Sequence, residues 1–302
     1  MILINSRQAF VGIPPALKNV PNKFFSFFLL LVVWSLGPHV ASFLGSPTSP
    51  LATHGILNPQ STVLELGSGV SPAVALSLAV APAPSRPARV ILSDQEYVVK
   101  LMRQNLEHNL HAVGQWEIVK DEVRPPLISY RILPWSAGKK GGRGSGRISK
   151  AQAECASKPG AHVPLTIDIT SLDWEKDSLQ HHPVFTQHPE SPISLVIIID
   201  CVYNESLIPH LVETSVDACS ISSVSTANAG QHSNLDETLV LIALEIRSPE
   251  VLDCFLEEFA KYFRVWRVPD SLLSIELRTG ADSGGEEAGT GYVVYCGVLR
   301  DR

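Results

Sequence analysis

Short, continuous apolar runs, most of them followed by an acidic residue or a glycine turn, recur along this chain. Five of them occupy residues 62–66, 89–93, 165–172, 193–199 and 238–244. Continuous apolar runs of this length are typical of strands buried on both faces of a parallel sheet. Two further runs, at 264–268 and 292–298, predict a final hairpin. The pattern therefore predicts an α/β fold with a Rossmann-like, seven-stranded, mostly parallel sheet and an antiparallel C-terminal hairpin.

Helical spacing of apolar residues separates these runs. It predicts helices at residues 72–81, 97–109, 205–218 and 249–263. Between about residues 117 and 164 the chain is rich in proline, glycine and basic residues, which predicts a disordered basic insert near 136–161. A Ser-rich loop is expected near 220–234. We predict an atypical apolar N-terminal segment at 1–44, followed by one domain at 45–302.

Composition excludes several classes of protein. The net charge of -6 gives no overall basic field, so stable binding to nucleic acid is not expected. Five cysteines without a CxxC pair argue against a disulfide framework and a zinc site, and His181, His182 and His188 lack a further metal ligand at suitable spacing. The apolar run at 24–37 is shorter than the roughly 20 residues of a membrane-spanning helix, so we expect a buried segment there and no membrane association.

The stretch VLELGSGVSP, residues 63–72, places a glycine turn directly after the first predicted strand. In an open α/β sheet, ligands bind beyond the carboxyl ends of the strands. Gly67 and Gly69 leave the backbone open to close approach. A dinucleotide-binding turn would have a third glycine where Pro72 stands, and Glu65 would repel phosphate. The turn therefore suits a ligand with a cationic centre.

S-adenosylmethionine has such a centre, together with an adenine and a ribose. Asp94 follows the second predicted strand, 25 residues after Gly69, and is well placed to accept the ribose hydroxyls. Trp174, after the third strand, is expected beside the adenine. Asp200, after the fourth strand, is expected near the positively charged methionine end. The sequence thus predicts S-adenosylmethionine as the cofactor.

The segment DCVYNESLIPHLV, residues 200–212, carries the most specific signal. It resembles the seven-stranded (class I) protein-lysine methyltransferases of family 16, in which D-x-x-Y precedes an acidic residue and a Leu-rich helix. Asp200, Tyr203 and Glu205 match that pattern. With LELGSGVS, SDQ and LDWE, the chain is most similar to the fungal ribosomal-protein lysine methyltransferase 5 group. The resemblance extends from about Val32 to the C-terminus.

The resemblance implies an S-adenosylmethionine-dependent protein-lysine N-methyltransferase that acts on a 60S ribosomal protein. It implies catalytic roles for Asp200 and Tyr203. In the relatives, a G-x-V-x-W segment before the first strand supplies a tryptophan that contacts the cofactor, and Trp34 stands at that position here. The expected cofactor-binding residues are Trp34, Glu65, Gly67, Ser68, Gly69, Asp94, Trp174 and Ile199. No metal-binding residues are expected.

Other interpretations stay open at this stage. Asp94 and Asp200 each precede a helical pattern and suit helix N-caps, and Trp174 suits core packing. A catalytically inactive interaction module, or decayed paralogue, is the alternative function, because residues 1–31 lack the polar β-rich region of the relatives. Glu65 and Pro72 disfavour a nicotinamide oxidoreductase. We expect a monomer located in the cytoplasm, with the nucleus as a second possible location.

Overall fold

A computed structural model describes residues 36–120, 128–133, 164–186, 192–229, 237–278 and 291–300. Within these ranges nine strands belong to one sheet. The strands are β1 Thr62–Leu66, β2 Arg89–Asp94, β3 Gln115–Lys120, β4 Ile128–Leu133, β5 Leu165–Ser171, β6 Ile193–Ile199, β7 Leu239–Glu245, β8 Phe263–Arg267 and β9 Tyr292–Leu299. The α-helices are α1 Leu36–Gly45, α2 Pro50–Thr53, α3 Ala73–Val80, α4 Glu96–Asn109, α5 Pro183–Thr186, α6 Ile208–Ala229 and α7 Pro249–Tyr262.

The strand order is β3-β4-β5-β2-β1-β6-β7-β9-β8. The five central strands, β5 to β7 in that order, run parallel. Strand β9 pairs antiparallel with both β7 and β8, so the predicted C-terminal hairpin is confirmed. The predicted fold class is also confirmed. In the described ranges the sheet has two strands beyond the expected seven.

Both faces of the central strands are buried, which explains their continuous apolar sequences. All five residues of β1 are buried. Val63 packs with α1, α3 and α4 on one face, whereas Leu64 packs with α6 and α7 on the other. A parallel sheet covered by helices on both faces needs apolar residues at consecutive positions, and not at alternate ones.

The N-terminal apolar segment is described from residue 36 onward. Leu36, Val40 and Leu44 of α1 are each 1% exposed and pack in the core beside α3. The predicted buried segment at 24–37 lies almost entirely outside the described ranges, and α1 continues one residue past the predicted domain boundary at residue 44. Trp34 and the rest of residues 1–35 lie outside the described ranges. None of the described helices combines the length and the apolar character that crossing a membrane requires.

The hairpin of β3 and β4 was not predicted, and most of it lies in the stretch from about residue 117 that is rich in proline, glycine and basic residues. The two strands pair antiparallel, and β4 continues the sheet from β5. Tyr130 and Ile132 are buried, whereas Trp116 and Ile118 are 38% and 44% exposed. The alternation of an edge hairpin gives a weaker signal than a continuous apolar run. The predicted basic insert at 136–161 lies wholly outside the described residues.

Helix α6 corrects the start of the predicted Ser-rich loop at 220–234, because it continues to Ala229. Three of its hydroxyl side chains, all before residue 222, donate hydrogen bonds to the carbonyl four residues earlier. Thr214 bonds to His210, Ser215 to Leu211, and Ser220 to Val216, each at 2.8 Å. This back-bonding allows serine to remain within a helix. Residues 230–236 lie outside the described ranges.

Candidate active site

A cleft of about 250 Å³ lies beyond the carboxyl ends of β1, β2 and β6. Strand β1 lies between β2 and β6. Successive strands are added on one side of β1 up to β5 and on its other side from β6 onward, so the strand order switches here. Such switch points are where open α/β sheets bind ligands. Nine of the predicted site residues line the cleft: Glu65, Gly67, Ser68, Gly69, Asp94, Trp174, Ile199, Asp200 and Tyr203. The tenth, Trp34, lies outside the described ranges.

The glycine turn after β1 needs its glycines for conformation and for packing. Gly67 and Gly69 have φ values of 69° and 60°, which L-residues with side chains rarely adopt. A Cβ on Gly67 would lie 2.5 Å from the Cys201 sulfur and 3.2 Å from the Trp174 ring. Gly67 therefore also allows the loops after β5 and β6 to pack beneath the turn, a role that the sequence pattern did not indicate.

Glu65 provides a buried carboxyl group at the floor of the cleft. It is 4% exposed, and its Oε2 has no hydrogen-bond partner among the described residues. Burial raises the pKa of Glu65 to about 8; the Ser68 hydroxyl partly offsets this, and the charge of Asp94 adds to it. An unpaired carboxylate is costly in such a place. A cationic ligand would stabilise the ionised form.

Asp94 connects the glycine turn to the end of β2. Its Oδ2 accepts a hydrogen bond from the Gly69 backbone N–H at 2.7 Å, and its Oδ1 accepts one from the Gln95 N–H at 2.7 Å. Burial raises the pKa of Asp94, and these two hydrogen bonds offset only part of the rise. Gln95, and not Asp94, occupies the N-cap of α4, so the helix-cap interpretation is wrong. Each carboxylate oxygen accepts one of these bonds and has a second lone pair, and Asp94 lines the cleft.

Asp200 is held by an arginine that the sequence analysis did not identify. The Arg247 guanidinium donates from Nη1 to Oδ1 at 3.1 Å and from Nη2 to Oδ2 at 2.6 Å. Arg247 also bonds to Glu245 at 2.5 Å. Asp200 has φ 56°, and Asn204 caps the 3-10 turn that leads into α6. The helix-cap interpretation of Asp200 is therefore wrong as well.

Two tyrosines stand at the mouth of the cleft. Tyr203 is 38% exposed and Tyr97 is 48% exposed, and both line the cavity. Burial, followed by nearby acidic groups such as Asp94, raises the pKa of Tyr203. Burial likewise raises the pKa of Tyr97, with Asp94 and Asp173 adding to the effect. Both tyrosines are therefore neutral near pH 7 and present an aromatic surface and a hydroxyl group.

Trp174 and Ile199 complete the predicted set. The Trp174 ring packs against Gly67, and its indole Nε1 is buried without a hydrogen-bond partner among the described residues. The Ile199 carbonyl at the end of β6 accepts a weak hydrogen bond from the Cys201 thiol, with the sulfur at 3.2 Å. Trp174 therefore contributes both to packing and to the wall of the cleft.

Sequence reasoning missed Arg247 and Tyr97. Asp94 was identified because ligands bind beyond the carboxyl ends of the strands. Arg247 and Tyr97 fit the same rule, since Arg247 comes two residues after β7 and Tyr97 three residues after β2. Applying that rule to the end of the fifth apolar run would have found Arg247. Among the described residues, no group of three or more His, Cys, Asp or Glu side chains is arranged to hold a metal ion.

Comparison with known proteins supports the resemblance. Residues 31–129 match a family model described as lysine methyltransferase. Proteins named ribosomal lysine N-methyltransferase 5 from Saccharomyces cerevisiae strains YJM789 and S288c are each 25% identical over 220 residues, which is 70% of this chain and 52% of theirs. The chain thus spans about half the length of these relatives. A solved S-adenosylmethionine-dependent O-methyltransferase from Thermotoga maritima aligns with a TM-score of 0.38 and 10% identity, over 94% of this chain and 73% of that one.

Proposed function

We propose that this chain is an S-adenosylmethionine-dependent protein-lysine N-methyltransferase. The acidic floor of the cleft carries the proposal, because the buried Glu65 Oε2 has no partner among the described residues. A phosphate group there would keep Glu65 protonated and gain no attraction from it, whereas the ammonium and sulfonium groups of S-adenosylmethionine would stabilise the carboxylate. The residues present therefore fit this cofactor.

The chain offers a separate group for each part of the cofactor. Glu65 would bind its cationic methionine end. Asp94 would accept hydrogen bonds from the ribose hydroxyls through the lone pairs that Gly69 and Gln95 leave open. Trp174 would form the wall beside the adenine. When bound, the cofactor supplies a methyl group on a positively charged sulfur, which is open to attack by an amine.

Asp200 and Arg247 would act on the amine of the target lysine. Free lysine has a pKa of about 10.4, so the site must favour the neutral amine. The Arg247 guanidinium beside Asp200 disfavours a second cation there. Asp200 accepts from both Arg247 nitrogens and, at 3.4 Å, from the Glu245 N–H. This leaves about one of its four lone-pair sites for the amine.

Besides favouring the neutral amine, the chain would orient the target lysine toward the methyl group. Asp200 and the Ile199 carbonyl would hold the amine so that its lone pair faces the methyl group, while Tyr203 would support the lysine stem. Fixing two reactants in line can supply most of the acceleration in a transfer of this kind. The proton that the lysine loses would pass to water, since the cleft opens to solvent beside Tyr203, which is 38% exposed.

We propose a 60S ribosomal protein as the substrate. The support is the name of the yeast relatives together with the charge of this chain, which is -6 overall. Ribosomal proteins are basic, and the acidic side chain of Glu205 is exposed two residues after Tyr203. A substrate of this kind fits the expected cytoplasmic location, with nuclear location as a further possibility, and a monomeric enzyme.

The test combines binding with methyl transfer. The purified chain is titrated with S-adenosylhomocysteine and then incubated with tritiated S-adenosylmethionine and washed 60S subunits. We expect binding, and label in one ribosomal protein. Asp94→Ala should weaken binding by about tenfold or more, because it removes charge-assisted hydrogen bonds. Asp253→Ala, at an exposed position of α7, is the matched control and should change neither result.

A second candidate function is a catalytically inactive module that binds the cofactor and a protein partner. One observation favours it, since Arg247 already engages both oxygens of Asp200. This candidate predicts normal binding of S-adenosylhomocysteine with no transfer of label. A folded chain that binds no S-adenosylhomocysteine would contradict both candidates.

A further inference from the structure

A second, smaller cavity of about 130 Å³ lies beside the cleft, beyond the ends of β6 and β7. It shares two residues, Tyr203 and Arg247, with the cleft, so the two cavities are separated by a single layer of side chains. Its lining is Val202, Tyr203, Leu244, Glu245, Ile246, Arg247, Ser248, Val251 and Leu252. The N-terminal turn of α7 forms its outer wall.

The size of this cavity limits what can occupy it. The cleft proposed for the cofactor measures about 250 Å³, about twice the volume of this cavity. A cavity of about 150 Å³ lined by apolar side chains holds a molecule the size of benzene. The 130 Å³ observed here is therefore enough for one aliphatic or aromatic side chain, and too little for a second cofactor.

The chemistry of the lining favours an apolar occupant. Leu244 is buried, and Val251 and Leu252 are half-buried. The side-chain polar groups of Glu245, Arg247 and Ser248 already have partners. Glu245 accepts a hydrogen bond from Arg247 at 2.5 Å, and the Ser248 hydroxyl bonds to Glu250 at 2.7 Å and caps α7 at the Val251 N–H. The cavity therefore presents mainly apolar surface to a ligand.

The surroundings indicate the kind of chain that would bring this side chain. Glu205 is exposed two residues after Tyr203 of the lining, and Glu250 is exposed in the first turn of α7, directly before Val251 of the lining. Their charges favour a basic polypeptide. Side chains one or two residues apart in an extended segment are separated by about 3–7 Å. A segment with its lysine in the cleft would therefore have a neighbouring side chain within reach of the cavity beyond Tyr203.

We propose that this cavity binds an aliphatic side chain within two residues of the target lysine in a basic protein substrate. It would thereby select which lysines enter the cleft. This inference rests on the proposed methyltransferase function. The apolar contact would increase the affinity for substrates with an aliphatic residue near the lysine. Glu205 and Glu250 would attract basic segments in general.

The experiment uses two pools of fluorescent, basic, lysine-centred peptides, which carry either leucine or glycine at the positions flanking the lysine. Capture by the full chain is measured in the presence of S-adenosylhomocysteine, and methyl transfer is measured separately with S-adenosylmethionine. Val251→Trp fills the cavity. Glu257→Trp adds the same bulk at an exposed position of the same helix and is the control.

We expect the leucine pool to be captured about tenfold better than the glycine pool, since burying one aliphatic side chain is a gain of that order. Val251→Trp should remove the difference without changing the affinity for S-adenosylhomocysteine, and Glu257→Trp should preserve it. Equal capture of both pools, capture of neither, or a preference that survives Val251→Trp would overturn the inference. A leucine preference in capture without any methyl transfer would support the cavity and contradict the methyltransferase function.

Discussion

At the scale of single residues, Asp200 combines two unfavourable features that its partner offsets. Its backbone lies in the left-handed region at φ 56°, and its carboxylate is 5% exposed. A left-handed non-glycine residue costs roughly 1–3 kcal/mol unless its surroundings hold it there. The two hydrogen bonds from Arg247 hold it, and they also fix the direction in which the carboxylate faces the cleft. Arg247 is thus a positioning residue for Asp200.

Replacing Arg247 with Gln tests that role. We expect a fall in kcat with little change in affinity for S-adenosylhomocysteine, and a shift of the kcat profile to higher pH. The unpaired Asp200 would favour the ammonium form of the target lysine, so a higher pH would be needed to deprotonate it. The loss of stability should be smaller than the roughly 3–5 kcal/mol seen when a fully buried pair is broken, because Arg247 is 36% exposed.

Arg264→Gln is the matched control, because Arg264 forms an exposed ion pair with Glu237 at 3.7 Å on the far edge of the sheet. Exposed pairs of this kind contribute about 0–1 kcal/mol. A purely structural role for Arg247 would lower the stability without moving the pH profile. An unchanged profile in Arg247→Gln would therefore contradict its proposed effect on the lysine amine.

At the scale of elements, a buried ion pair connects the central strands to the extra hairpin. Arg89 of β2 bonds to Asp168 of β5 at 2.5 Å, and Ser129 of β4 donates to the other oxygen of Asp168 at 2.5 Å. Arg89 also donates to the Val184 carbonyl of α5 at 3.0 Å. The pair is 8% and 1% exposed, so each partner depends on the other for its stabilisation.

We expect Asp168→Ala to lower the free energy of unfolding by about 3–5 kcal/mol, because it leaves the Arg89 charge buried and unpaired. Urea unfolding measures this loss. Arg131→Gln, which breaks a more exposed pair of the same hairpin, is the control and should cost about 1 kcal/mol or less. At a temperature where both variants are folded, their affinities for S-adenosylhomocysteine should equal that of the native chain, because neither residue lines the cleft. A weaker affinity in Asp168→Ala alone would contradict this separation.

The elements also show how far sequence reasoning reaches. The five central strands were predictable within about two residues, because burial on both faces produces continuous apolar runs. The β3–β4 hairpin escaped prediction because an edge hairpin has only an alternating signal, within a segment of mixed composition. The end of α6 escaped because serine hydroxyls can bond within a helix as well as in a loop. For the site, the rule of strand ends predicted Glu65, Asp94 and Asp200, but the pairing of Asp200 with Arg247 depends on a left-handed backbone that composition does not indicate.

At the scale of the whole molecule, the cleft depends on distant parts of the chain. The turn after β1, the ends of β2 and β6, and the loop after β7 meet only once the sheet is assembled. Glu65 is therefore buried only in the folded protein, where its pKa is raised from 4.5 to about 8. Between these two values the folded chain holds a proton that the unfolded chain has lost.

The stability of the ligand-free protein should consequently fall as pH rises from about 5 to about 8, with Glu65 contributing up to about 1.4 kcal/mol per pH unit. The contribution is fully present below the unfolded pKa and is lost as pH rises toward the folded pKa. Glu65→Gln removes it, so urea unfolding of the variant should show a shallower dependence on pH. Groups that do not interact with Glu65 contribute equally in both proteins, so the difference between the two profiles reports Glu65 together with its coupling to Asp94.

The same linkage predicts how the molecule responds to its cofactor. A cationic ligand beside Glu65 lowers the pKa of that carboxyl group, so binding below about pH 8 should release up to one proton to the buffer. Calorimetric titration with S-adenosylhomocysteine, which keeps the ammonium group, in buffers of different ionisation enthalpy measures this proton directly. The release should disappear in Glu65→Gln and should diminish in the native chain above about pH 8, where Glu65 is already ionised. Binding with the same apparent enthalpy in every buffer would mean that the cationic end of the ligand does not lie at Glu65.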